Sequence, residues 1–519
     1  MQTIMLPQLK TKKPSFGLLF LALLSLTVFI FFMISSTVRP YGYFIDEVYF
    51  ISCAKRLAFG YVDQPPLSIA FLALIQVLLG HSMTVVRILP ALSIAATVFV
   101  TGLIARRLGG GLSSMLLAGM AVMVMPVLLI FGSLYSMNAY EPLLWTSVAF
   151  FSVKMVQEDD PRYWLWIGIL FGIGMEMKHT IVLYGIALLF GLLVSDKRRL
   201  LFNRWILWGL LFAFLLILPN ILWQVVSHFP SLELYRNSFS SKNIIKSYLQ
   251  VFIEQIIFAN PATFPLWITG IIALIFPKGR TYRFMLFAYL FLLGIMMLGH
   301  SSRPDRISSI YTFFFAYGAV AIEQYMKKTW RTTAQIAIAA LMLAGGCILA
   351  PVFCPVLPPA ALKTHIARLG LHLEIEEGKK GEPIPQWLAD RIGWPEMAAE
   401  VSLVYHSLTP AEQRNAAIIS TNYGEAGALE LYGSEYGLPP VFATHNSFHS
   451  WGPPSDSIQT YIGVFIDLED VLPRFNSVEE ASVYLCPDCT RPQHRVPVYV
   501  MRGPKFSMEK EWPKFKLYH

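Results

Sequence analysis

Long apolar runs separated by short polar segments dominate the first two thirds of the chain. Windows apolar enough to cross a bilayer fall near residues 16–36, 84–105, 112–132, 142–156, 163–178, 180–194, 205–222, 262–277, 284–299, 308–325 and 333–353, which predicts about eleven transmembrane helices. The first run lacks a small-residue cleavage site and others follow it, so it reads as a permanent helix and not as a signal peptide. After about residue 354 the runs stop. Strand-like stretches, AAIIS (416–420), YIGVFID (461–467) and VPVYV (496–500), then alternate with loops and helical segments. The expected architecture is a polytopic α-helical membrane domain over 1–354 followed by a soluble α/β domain over 355–519.

Composition agrees. The 519 residues are 55% hydrophobic and 14% charged, with mean hydropathy +0.52, against roughly 25% charged in soluble domains. The net charge of +8 changes the picture only through where it sits. Lys10, Lys12 and Lys13 precede the first helix and put the N-terminus in the cytoplasm. Alternation then lands Arg106–Arg107, Lys154/Arg162, Lys197–Arg198–Arg199, Lys278/Arg280/Arg283 and Lys327–Lys328/Arg331 on that same side, and sends the C-terminal domain outside. With no compact basic domain, nucleic acid is excluded as a partner. Five cysteines are too few for a disulfide scaffold.

Chemistry concentrates in RPYGYFIDEVYFISCAKRLAFGYVDQPPLS (39–68), just beyond the first helix. Asp46, Glu47 and Asp63 lie within 18 residues on the expected outer face, and Glu141 sits at the next outer turn. Carboxylates at the edge of hydrocarbon are costly and mark a site or a cation. One of them can take the proton of an attacking hydroxyl, while the others hold a metal or orient sugar hydroxyls; the plain alternative is an ion pair with Lys55–Arg56. Lys178, Arg303 and Arg306 are cations on the side that should be poor in them, and they suit an anionic headgroup. Their plain alternatives are pairing with Glu176 and Asp305. Acids and phosphate-binding cations on one membrane face point to transfer chemistry on a lipid-linked phosphate.

The ordered set of DE after the first helix, PPL about twenty residues later and an acid at the next outer turn resembles the GT-C glycosyltransferases, the superfamily of protein O-mannosyltransferases and lipid A aminoarabinose transferases. LPNILWQ (218–224), EQIIFANPATFPLW (254–267), NYGEAGALELYG (422–433) and WGPP (451–454) extend the resemblance over nearly the whole chain. It implies a GT-C fold and an enzyme of a bacterial inner membrane. It also implies inverting transfer of a sugar from a polyprenyl-phosphate-linked donor to a hydroxyl of an extracytoplasmic lipid, glycan or protein acceptor. By the same resemblance Asp46 is the base and Glu47 its motif neighbour, and Asp63 is the acid before the paired prolines, followed by Gln64 where relatives carry Lys. Glu141 is the second-loop acid, usually Asp. Lys178, Arg303 and Arg306 are candidates for the donor phosphate. His228 and Asp63 are candidates for binding a divalent metal or the sugar, the plain alternative for His228 being a hydrogen-bonding residue near the interface; no other cofactor is implied. Neither a P-loop nor a strand-linked GxGxxG is present, consistent with a donor that is not a nucleotide sugar. The competing reading is a transporter or lipid flippase with an outer sensory domain. Such proteins show internal repeats and broken helices with polar residues at mid-membrane, whereas the ionisable residues here gather at one face.

Three further segments bear on the C-terminal domain. TNYGEAGALELYG (421–433) reads as a strand end, a glycine turn and a helix. THNSFHSWG (444–452) suits either stacking on sugars or docking on the membrane domain. CPDC (486–489) is a poor zinc site for want of a second pair, and reads as a local bridge or a redox pair.

Overall fold

The computed structural model describes residues 15–242, 245–300, 303–371 and 383–518; Lys10, Lys12 and Lys13, which orient the chain, lie outside them. All eleven apolar windows are helical. By length and composition, five helices among the described residues can cross a membrane: Phe16–Ser35, Met83–Arg107, Arg204–Val226, Pro277–Leu298 and Lys328–Phe353. The number rises to seven if two bent pairs each count as one span. Several others, such as Ile181–Val194 with 14 residues, give only about 21 Å of helix against a core of ~30 Å. Eleven full spans is therefore more than helix length alone supports.

The two bends have a shared cause. Pro126 opens a helix turned by 69° from Leu112–Met123, and Pro261 opens one turned by 85° from Tyr248–Phe258. Proline supplies no amide donor, so it fits a helix start and interrupts a helix elsewhere. Asn260, fully buried with φ 73°, accepts from the Ala262 amide at 2.9 Å and donates to the Val124 carbonyl at 2.9 Å. One side chain thus caps both breaks. Elsewhere backbones touch: a methyl on Gly168 would meet the Gly209 carbonyl oxygen at 2.1 Å, and one on Gly318 the Leu266 carbonyl oxygen at 2.0 Å. Small residues at such crossings are how helices pack where no hydrophobic drive exists.

The C-terminal domain is built on one five-stranded sheet. Its strands are β1 (Ala416–Ser420), β2 (Val441–Ala443), β3 (Thr460–Val464), β4 (Phe475–Leu485) and β5 (Arg495–Pro504), in the order β2-β1-β3-β5-β4. β1 pairs in parallel with both β2 and β3, while β5 runs antiparallel to β3 and β4. β1 and β3 are buried throughout, as AAIIS and YIGV require of strands covered on both faces. CPDC follows β4, and Cys486 and Cys489 form a disulfide.

The sheet reaches the membrane domain through the Tyr423–Tyr432 helix, the helical half of TNYGEAGALELYG. It lies against the Ile45–Ala54 helix, which carries Asp46 and Glu47. A methyl at Gly427 would sit 2.9 Å from the Val48 carbonyl carbon, and one at Gly424 2.2 Å from Ile45 Cγ1. Gly427 lets the two helices meet backbone to backbone, and Gly424 makes room for the Ile45 side chain. Further clamps hold the 39–68 segment to this domain: Arg56 to Glu430 at 2.9 Å, the Val62 amide to Ser447 Oγ at 3.2 Å, and the Gly42 amide to the Arg391 carbonyl at 2.7 Å. Arg391 in turn donates to the Ser133 carbonyl at 2.8 Å and to Ser133 Oγ at 2.9 Å.

Candidate active site

Asp46 is the second residue of the Ile45–Ala54 helix and lines a cavity of about 170 Å³ together with Asn138, Lys246, Glu254, Arg303 and Asp305. Gln386 and Trp387 of the C-terminal domain complete the wall. Tyr423 Oη donates to Asp46 Oδ1 at 2.9 Å. Burial, then the charges of Asp46 and Asp63, push the Tyr423 hydroxyl well above its ordinary range, so it stays a donor. Its ring packs 4.8 Å from Tyr49 and 4.8 Å from His445. Tyr49, three positions after Asp46 and on the same helix face, donates to Asp63 Oδ1 at 2.7 Å and accepts from the Ser447 amide at 3.3 Å. The two packed tyrosines, their rings tilted by 39°, therefore hold Asp46 and Asp63, and residues of the C-terminal domain contact the tyrosines.

Glu47, expected beside Asp46 as part of the catalytic group, sits in a different environment. Adjacent helical residues point about 100° apart, so Glu47 turns away from the cavity and is completely buried. It receives Arg87 Nε at 2.9 Å and Arg87 Nη2 at 2.7 Å, together with the amides of Tyr135 at 2.7 Å and Phe44 at 2.7 Å. Burial raises its carboxyl, but the Arg87 charge and hydrogen bonds outweigh that and hold it below the usual range. Glu47 joins the loop, the Met83–Arg107 helix and the start of its own helix.

Glu141 and Lys178 meet each other and do not line the cavity. Lys178 Nζ donates to Glu141 Oε2 at 2.7 Å, and Thr180 Oγ1 to Glu141 Oε1 at 2.7 Å. Glu176 is near the end of the Tyr163–Met177 helix, whereas Lys178 follows that helix in an extended conformation and pairs with Glu141. Arg303 pairs side-on with buried Asp305 at 3.1 and 3.3 Å and is one third exposed, facing the cavity. Burial would raise Asp305, but the charges of Arg303, Lys178 and Arg306 bring it down to about 2. The charges of Lys178 and Arg306 thus act on the carboxylate that Arg303 pairs with directly.

His228 lies exposed after the Arg204–Val226 helix, with φ 60°. Among the described residues no group of three or more His, Cys, Asp or Glu could hold a metal ion. No such group includes Asp63 or His228, and no chemistry is routed through a metal.

Lys246, Glu254 and Tyr423 were not singled out by sequence. Lys246 and Glu254 form an ion pair in the cavity wall. Lys246 lies in an expected outer segment, so the charge rule that flagged Lys178 applies to it equally. Glu254 and Tyr423 sit inside quoted motifs without an assigned role. Close behind Tyr423, Asp390 and Glu425 are buried carboxyls. Burial, then the nearby Glu425 and Asp46 charges, push Asp390 up to about 7; burial pushes Glu425 up to about 7. Thr490 Oγ1 donates to Asp390 at 3.1 Å and Gln493 Nε2 to Glu425 at 3.2 Å.

Residues 63–223 match the family model described as dolichyl-phosphate-mannose-protein mannosyltransferase, a stretch that includes Asp63, Glu141 and Lys178. No curated protein sequence matches the chain. Among solved structures, ArnT from Cupriavidus metallidurans in the apo state is 15% identical with a TM-score of 0.59, covering 92% of this chain and 97% of ArnT. The same ArnT bound to undecaprenyl phosphate is 15% identical with a TM-score of 0.59, covering 94% of this chain and 98% of ArnT. The chain is a polytopic membrane protein with the GT-C fold of ArnT and a C-terminal mixed-sheet domain.

Proposed function

We propose that the protein is an integral-membrane, inverting glycosyltransferase. It moves a sugar from a polyprenyl-phosphate-linked donor to a hydroxyl of a lipid, glycan or protein acceptor. The observation that carries this reading is the single cavity lined by Asp46, Lys246 and Arg303, a base and two phosphate-competent cations. The mannosyltransferase family match over residues 63–223, and undecaprenyl phosphate bound to a protein of the same fold, support the donor class.

The acceptor oxygen attacks the anomeric carbon from the face opposite the phosphate and loses its proton to the Asp46 carboxylate. The bond from that carbon to the phosphate oxygen breaks, and polyprenyl phosphate leaves carrying the negative charge. Arg303, in a planar fork, and Lys246, as a compact charge, stabilise it there. Lys178 and Arg306 reinforce the field through Asp305. A cavity of about 170 Å³ is smaller than the ~300–1,000 Å³ that encloses a drug-sized ligand. It takes the reacting end of the donor and leaves the polyprenyl tail in the bilayer. Glu47 and Glu141 position the scaffold.

The cavity opens on the extracytoplasmic side of a bacterial inner membrane, with the N-terminus cytoplasmic and the domain junction near residue 354. Cysteine accessibility on either side of an intact membrane tests that orientation. The two broken helices are a feature that transporters also use. Here Asn260 ties both breaks together, and among the described residues no ionisable side chain joins it there, so the observation does not favour transport. The test is a panel of radiolabelled undecaprenyl-phosphate sugars with the protein in lipid nanodiscs. Consumption of one donor is expected, and failure of every donor to bind would remove the reading.

A further inference from the structure

The C-terminal domain carries a second cavity that the proposed reaction does not use. From β1 the chain passes through the Tyr423–Tyr432 helix to β2 at one edge, then crosses back to β3 on the other side of β1. The strand order therefore reverses between β1 and β3. In open α/β sheets ligands bind outside the carboxyl ends of the strands at such a reversal. A cavity of about 610 Å³ lies at that point, lined by Ser420 at the end of β1, Thr421 after it, and Phe465, Ile466 and Asp467 after β3. Its size is within the ~300–1,000 Å³ usual for small-molecule sites.

The lining carries two acids, Asp467 and Asp470, beside three cations, Arg474, Arg495 and Lys514, and the state of its side chains narrows the ligand. Asp467 Oδ1 accepts from the Glu469 amide at 3.0 Å. Thr421 Oγ1 donates to the Phe465 carbonyl, and Ser420 Oγ to the Asn422 carbonyl at 3.3 Å, so these floor hydroxyls are engaged within the fold. An aromatic ladder forms one wall: Phe475 to Phe506 at 6.0 Å and Phe506 to Phe515 at 6.0 Å, both edge-to-face. Arg474 stands at the end of the ladder, half-buried, its guanidinium 4.7 Å from the centre of Phe515. The other two cations of the lining are paired, Arg495 with Glu480 at 2.9 Å and Lys514 with Glu511 at 2.8 Å. Arg474 makes no ion pair among the described residues. Phe465, at φ 60°, holds a left-handed conformation that is unusual for an aromatic residue, at the cavity's rim.

We propose that this cavity binds an amphipathic anion, its apolar body against Phe475, Phe506 and Phe515 and its carboxylate or phosphate on Arg474. Such a molecule is either a soluble aromatic anion or a phospholipid with short reach into the domain. The test is hydrogen–deuterium exchange on the full-length protein in nanodiscs, with two probes, phenyl phosphate and dihexanoyl phosphatidate. Inorganic phosphate and benzyl alcohol each supply half of the chemistry as controls. Slower exchange is expected at residues 465–475 and 504–517 with at least one probe and with neither control. Protection by phenyl phosphate alone assigns the soluble anion, and by the phosphatidate alone the lipid; either supports the site. Arg474→Gln raises the concentration needed by about tenfold or more, while Arg474→Lys keeps part of the binding. Unchanged exchange in β1 and β3 shows that the variants are folded. No protection by either probe overturns the proposal, as does equal protection by inorganic phosphate. Undiminished binding by a folded Arg474→Gln does the same.

Discussion

Replacing Tyr423 by Phe removes one hydroxyl and leaves the ring between Tyr49 and His445, each 4.8 Å away. What is lost is the 2.9 Å hydrogen bond to Asp46 Oδ1. A hydrogen bond to a charged group contributes about 1.5–3 kcal/mol net, and 1.36 kcal/mol corresponds to one pKa unit or one decade in rate. Because Tyr423 donates to the ionised form of Asp46, its removal favours the protonated form. The acid limb of the pH–rate profile is predicted to move up by about one unit. The loss of orientation lowers kcat/KM about tenfold at neutral pH, with little change in donor affinity. The assay is transfer from the cognate undecaprenyl-phosphate sugar in nanodiscs between pH 4.5 and 8.5, with thermal unfolding measured on the same samples. An unchanged rate and pH profile would refute the reasoning. So would a loss of rate explained wholly by a lower unfolding temperature.

The remaining predictions follow the same geometry. Glu47→Gln strands Arg87, 1% exposed, in a buried setting and should cost about 3–5 kcal/mol, read as a large fall in unfolding temperature; a stable but inactive variant would return Glu47 to the catalytic group. Arg303→Gln should weaken binding of undecaprenyl phosphate about tenfold or more, with Arg303→Lys recovering part of it, measured by competition with labelled donor. Asp390 and Glu425 stay protonated in the fold up to about pH 7 but ionise near pH 4 when unfolded. Between those values the folded state binds more protons, so stability falls as pH rises from about 4 to about 7 and levels off above. Exchange at the Tyr423–Tyr432 helix should be slower at pH 5 than at pH 7.5 once corrected for intrinsic rates, and Asp390→Asn with Glu425→Gln should flatten the difference.

The elements were legible in the sequence because apolar runs report helices whatever their partners do; all eleven windows are helical. The count of full spans was not, because a window of 14 to 18 apolar residues looks alike whether it crosses a membrane or packs inside a bundle. TNYGEAGALELYG showed its helix, but the strand ends at Ser420 before it and the turn is Thr421–Asn422, with Asn422 capping a helix that already holds Gly424 and Gly427. Its role was hidden, since Tyr423 meets Asp46 across 377 positions of chain. Asp46 and Glu47 read as one acidic pair because they are adjacent, and helical rotation is what separates them. Lys178 offered Glu176 as a neighbour in sequence, but its partner Glu141 lies 37 residues away. Lys246 was within reach of the same charge argument that singled out Lys178, and only its flanking polar residues disguised it.

The central claim is that Asp46 takes the acceptor's proton in the cavity it shares with Lys246 and Arg303. Asp46→Asn keeps the shape and a hydrogen-bonding group while removing the base. Sugar transfer and donor binding, measured on the same nanodisc preparation, test it most directly. The account predicts that transfer falls by 10² or more while the donor still binds with near wild-type affinity. A variant that transfers as fast as the wild type would contradict it.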